Sequence, residues 1–71
     1  MIKVDNLSCR AGVNIWQIRK KMHITQLGLA GRVGMTAAHL CNIEKGKRGI
    51  SLATLDSIAE VLRVSPAALL K

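Results

Sequence analysis

A chain of 71 residues is enough for one domain around one small core. It has two cysteines and no Cys-x-x-Cys pair, so neither a disulfide framework nor a four-cysteine zinc site is available, and no apolar run reaches the ~18 residues of a membrane span. The net charge of +7 is unevenly placed: between Arg10 and Arg48 stand eight basic residues and the single acid Glu44, whereas from Gly49 to Lys71 the charges cancel, so the first two-thirds of the chain suits a polyanionic partner.

Trp16 is the only aromatic residue. Single-strand and RNA modules read bases largely by stacking them on aromatics, and strands are rich in aromatics, so both readings are disfavoured. The fold class expected is all-α.

Residues 1–11 show no clear period and read as an N-terminal arm, extended around Ile2 to Leu7, with the domain proper spanning residues 12–71. Helix one is expected from Val13 to Met22, with Ile15, Ile18 and Met22 sharing a face. Arg19, Lys20 and Lys21 gather at its C-terminal end, where the helix dipole favours cations, and His23 sits at the stop, where a left-handed residue is often required. Helix two starts after the N-cap Thr25, buries Leu29, Ala30 and Val33, and ends at Gly34; Gly28 and Gly31 inside it each cost about 1 kcal/mol against alanine. Helix three starts after Thr36 and runs to Glu44 with Leu40 and Ile43 inward, followed by the polar loop Lys45-Gly46-Lys47-Arg48-Gly49. Helix four follows Ser51 with an apolar stripe of Leu52, Leu55, Ile58, Ala59 and Leu62. A short fifth helix is capped by Ser65, takes Pro66 at its first position and is anchored by Leu69 and Leu70.

The most informative stretch is Gln26 to Ile43. Two helices crossing steeply must come close, so Ala30 is small. The turn between them needs a positive φ, which Gly34 supplies at low cost. Met35 covers the turn from inside, Leu29, Val33, Leu40 and Ile43 fill the space between the helices, and Thr36 starts a helix whose first turns are left exposed.

This pattern resembles the lambda-repressor-like, Cro/C1-type (XRE) helix-turn-helix family. The resemblance extends from about Ile15 to Leu70. It is carried by Ile15-x-x-Ile18-Arg19, Ile24-Thr25-Gln26, Leu29-Ala30, Val33-Gly34-Met35-Thr36, Leu40-x-x-Ile43-Glu44-x-Gly46-Lys47-Arg48 and Leu55-x-x-Ile58-Ala59-x-x-Leu62-x-Val64-Ser65. It implies a compact five-helix domain with the helix-turn-helix at helices two and three. It also implies a transcriptional regulator, of repressor type, that binds double-stranded DNA as a homodimer. By the same resemblance Gln26 is a phosphate-contacting, helix-positioning glutamine. Thr36, Ala37, Ala38 and Asn42 fall where the family approaches bases or adjacent backbone. Lys45, Lys47 and Arg48 match a loop along a phosphate strand, and Arg19 and Glu44 match an ion pair joining helix one to helix three. An antitoxin that binds a protein partner and a restriction–modification controller are the competing readings of the same pattern.

Ala37 and Ala38 stand where relatives carry long polar readers. Alanine offers a methyl, suited to a thymine methyl and little else, so readout leans on Thr36, His39 and Asn42 or on DNA shape. His39 faces either DNA or the rest of the bundle. Trp16 is expected in core or dimer packing rather than in base stacking. His39 and Cys41 are two apart and do not share a helix face, so no metal site is expected there. No Ser-His-carboxylate set, paired carboxylate or phosphate-cradling glycine loop is present, so no catalytic, cofactor or metal residue is expected. Unpaired cysteines and the lack of a signal-like apolar segment at Met1 to Leu7 point to the cytoplasm, bacterial or phage-encoded by the resemblance.

Overall fold

The computed structural model describes residues 6–47 and 49–71. The expectations for Met1 to Asp5, including most of the extended arm, and for Arg48 lie outside the described residues. Four α-helices are followed by a 3-10 helix: α1 is Asn6–Lys21, α2 Gln26–Val33, α3 Ala37–Glu44, α4 Leu52–Leu62, and the 3-10 helix Pro66–Leu70.

The first helix corrects the expected arm. α1 begins at Asn6, so residues 6–11 are helical. Its buried side is Ala11, Gly12, Ile15 and Arg19, while Val13 and Met22, both expected to define this helix, are 50% and 41% exposed. The cause is the size of the packing residues: Ala11 and Gly12 are buried, Gly12 against α3, but carry almost no apolar signal. A Cβ at Gly12 would fall onto the Ile43 carbonyl oxygen and lie 2.9 Å from that of Glu44, so α1 and α3 cross backbone to backbone here. Past Lys21 the chain turns at His23, whose φ of 58° is left-handed, and Ile24 N–H returns to the Arg19 carbonyl at 3.0 Å.

Each later helix starts as its cap dictates. Thr25, Thr36 and Ser51 are extended N-caps whose hydroxyls accept from Gly28, His39 and Thr54 N–H groups at 2.9, 3.0 and 3.1 Å. Gly34, at φ 85°, closes α2 with its N–H on the Ala30 carbonyl. α4 closes on Arg63, a left-handed residue with φ 60° where glycine is usual, and Val64 N–H bonds the Ala59 carbonyl at 3.0 Å. The fifth helix is a 3-10 helix: five residues opened by a proline do not sustain α-helical ladders, and the segment seals the core with Leu69.

The core gathers Ile15, Leu29, Leu40, Ile43, Leu55, Ile58 and Leu62 with Leu69, each at most 3% exposed, together with the buried Ala11, Ala30 and Ala59. Leu52, expected on the α4 stripe, is 78% exposed. Asn14 ties α1 to the C-terminal segment by donating its side-chain N–H to the Leu69 carbonyl at 2.9 Å.

Gly31 behaves differently from Gly12. It is exposed, it sits inside α2, and a Cβ there meets nothing within 4 Å. Gly31→Ala should therefore stabilise the domain by about 1 kcal/mol and raise its melting temperature by roughly 4–8 °C. Thermal unfolding followed by circular dichroism checks this, and an unchanged Tm would show that α2 does not set the stability.

Candidate nucleic-acid interface

Four groups from three segments meet under the helix-turn-helix. Arg19, on α1, donates from Nε to Glu44 Oε2 at 2.8 Å and from Nη2 to Glu44 Oε1 at 3.0 Å, and its Nη1 reaches the Ile24 carbonyl at 2.8 Å. Glu44, the last residue of α3, also accepts from Gln26 Nε2 at 2.9 Å. The ion pair is buried, with side-chain exposures of 7% and 3%, and no buried side-chain polar atom among the described residues lacks a partner. One carboxylate thus fixes the end of α3, the start of α2 and the end of α1 relative to one another. Bidentate pairing gives this junction direction as well as attraction.

The resemblance implies that Gln26 both contacts phosphate and positions its helix. In the structure its amide nitrogen is engaged by Glu44, and the residue is half-buried at the first position of α2. Its side chain is held in place from behind, and its carbonyl oxygen and second N–H have no protein partner among the described residues.

On α3, Leu40, Ile43 and Glu44 face the protein, and Ala38, Asn42 and Lys45, spaced four and three apart, take the opposite side. Ala38 and Lys45 are exposed and Asn42 is half-buried. Thr36 is exposed at the N-cap; its oxygen is occupied by the His39 N–H, and its O–H is directed by whatever it meets outside. Ala37 is half-buried at the first position of α3. His39 lines a surface hollow with Gly34, Met35, Ala53, Thr54 and Ser57, which puts it on the flank toward α4 rather than at the centre of the outward face. Lys45 and Lys47 are both exposed as the chain leaves α3, and Gly46 between them has a φ of 74°. A Cβ at Gly46 would come within 2.8 Å of Cys9 Sγ, so this loop lies against α1.

The outward surface is therefore short of acid. Neither α2 nor α3 has an acidic residue in its first turn, and Glu44 is neutralised by Arg19. Trp16, expected in the core or a dimer contact, is 46% exposed with Lys20 Nζ 5.8 Å from its ring centroid. Both cysteines are free thiols, and the described residues contain no group of three His, Cys, Asp or Glu side chains able to hold a metal.

The helix-turn-helix family HTH_3 matches residues 17–69, from the second half of α1 into the 3-10 helix. The chain belongs to the XRE/Cro-C1-type helix-turn-helix family. Among solved structures it is similar to the clp gene regulator ClgR from Corynebacterium glutamicum, at 25% identity and a TM-score of 0.87, covering 90% of this chain and 68% of that one. The restriction–modification controller protein C.AhdI from Aeromonas hydrophila superposes with a TM-score of 0.83 over 87% of this chain and 94% of its own; its identity of 24% supports the fold alone. The hydroxypropylphosphonic acid epoxidase from S. wedmorenis also matches, at 26% identity and a TM-score of 0.88, but this chain spans 36% of the epoxidase. No curated protein sequence matches the chain.

Sequence reasoning missed two parts of this site. Gly12, which sets how closely α1 approaches α3, stood just ahead of the expected helix start at Val13; the small pair Ala11-Gly12 one turn before Ile15 is the signal that marks it. The link from Gln26 to Glu44 has no sequence signal, because it depends on α2 and α3 meeting at one carboxylate.

Proposed function

We propose that this protein is a non-enzymatic transcriptional regulator that binds duplex DNA with α3 in the major groove. The observation that carries the reading is the outward face of α3, whose side chains at Ala38 and Asn42 are bordered by Lys45 and Lys47 and backed by a single neutralised acid. In this reading Gln26 and Thr36 meet the phosphates on either side of the groove. Lys45, Lys47 and Arg48 follow one phosphate strand. Ala37 and Ala38 touch thymine methyls, Asn42 reads a base edge, and His39 meets the adjacent backbone.

With so few long readers, one copy discriminates weakly. The working species is a homodimer on two-fold related half-sites about one turn apart. Bound across a promoter it represses by occlusion, and it works in the cytoplasm. No helix among the described residues is long and apolar enough to cross a membrane.

If about five to seven phosphates are neutralised, log K should fall against log salt with a slope of about −5 to −6. Replacing Lys45 and Lys47 together by alanine should weaken binding to all duplexes alike and flatten that slope by about two. An unaltered slope would remove this loop from the interface. Asn42→Ala should instead relax preference at one base position, by about 1–3 kcal/mol, in a competition among duplexes varied one base pair at a time. A uniform loss across all of them would make Asn42 a backbone contact.

A further inference from the structure

Two surface cavities adjoin along the outer side of α1 and share Trp16 and Gln17. One, of about 420 Å³, lies between α1 and the start of α2 and end of α3, walled by Val13, Trp16 and Cys41 with Gln26 and Lys45 at its rim. The other, of about 580 Å³, continues past Trp16 to Ile18, Lys20 and Lys21. Trp16 and Val13 are 46% and 50% exposed. Three apart on one helix, they form a single exposed apolar strip rimmed by charge, a surface small in extent but shaped to take an apolar side chain.

The rim selects the occupant. Lys20, Lys21 and Lys45 are all exposed, and none has a carboxylate partner among the described residues. The one acid at the trough, Glu44, has its oxygens occupied by Arg19 and Gln26. A second copy docked trough to trough would set the same cations against one another. A phosphate strand would meet the lysines but has nothing to place on Val13 and Trp16. We infer that this trough docks an acidic amphipathic segment of a partner protein, its apolar side chains against Val13 and Trp16 and its carboxylates on Lys20, Lys21 and Lys45. Gln26 and Lys45 belong to both the trough and the proposed DNA surface, so the segment and the duplex exclude one another; this last clause rests on the DNA reading.

Trp16 is the only aromatic residue, so its fluorescence reports on this site alone. The probe is a short synthetic peptide of leucine and glutamate at helical spacing, with serine–glutamate and leucine–lysine counterparts. The leucine–glutamate peptide should shift Trp16 emission to the blue. Lys20→Glu with Lys21→Glu, both on the surface, should weaken it at least tenfold without changing the far-ultraviolet circular dichroism. Absence of a shift, equal binding of either counterpart peptide, or a blue-shifted Trp16 in a dimer formed without peptide would overturn the inference. In a competition the peptide should displace labelled duplex, and a complex retaining both would contradict the shared residues. If the duplex does not bind at all, the Trp16 titration still reports on the trough, so the two readings fail separately.

Discussion

Gly12→Ala should lower the melting temperature by roughly 12–24 °C, the equivalent of about 3 kcal/mol in a domain of this size. Two effects oppose each other at this position. Alanine is the better helix former by about 1 kcal/mol, and in an exposed helix that would decide the sign. Here the new methyl would land on the Ile43 carbonyl oxygen with the Glu44 carbonyl beside it at 2.9 Å, and both are backbone atoms of the last two residues of α3, which are buried. A side chain could rotate away, but these oxygens yield only if α3 shifts as a whole. That shift would also disturb Glu44, one residue beyond. Chemical denaturation of the two proteins side by side measures the difference. A variant as stable as the parent would mean that α1 and α3 are separated more widely than the structure has them.

Glu44→Ala should cost about 3–5 kcal/mol, because it leaves the Arg19 guanidinium buried without its carboxylate. The pair is not thereby a large net source of stability. Removing both charges and keeping the volume, as in Arg19→Met with Glu44→Leu, should give back most of the loss. What the double variant should not recover is duplex binding. Gln26 loses the acceptor that fixes its side chain at the start of α2, and α3 loses its charged link to α1. Thermal unfolding and duplex titration of the single and double variants separate these roles. A double variant that binds duplex like the parent would show that the network contributes stability only.

The parts of the fold that were legible in the sequence are those signalled locally. Thr25, Thr36 and Ser51 announce their helices because a hydroxyl at the N-cap satisfies an N–H that nothing else in the sequence serves. Gly34 and even His23 were readable as left-handed stops. The start of α1 was not, because its packing is made by an alanine and a glycine, whose contribution is the absence of bulk. Trp16 was expected in core or dimer packing, yet it lies one position past Ile15, outside the buried side of α1. In the site, the small and polar residues of α3 were marked by the family resemblance, and helical spacing sets only which of them share a side. The turn of His39 toward α4, and the engagement of Gln26 by Glu44, depend on how three helices meet and were beyond any local pattern.

The central claim is that the outward face of α3, with the cationic loop after it, meets duplex DNA. Backbone amide resonances followed by NMR as a duplex is added at low salt, then as salt is raised, test it residue by residue. The largest changes are predicted at Gln26, from Thr36 to Asn42, and at Lys45 and Lys47, all reversing as salt screens the phosphates. Changes confined to the far side of α4 and the 3-10 helix, or no salt-reversible change at all, would contradict it.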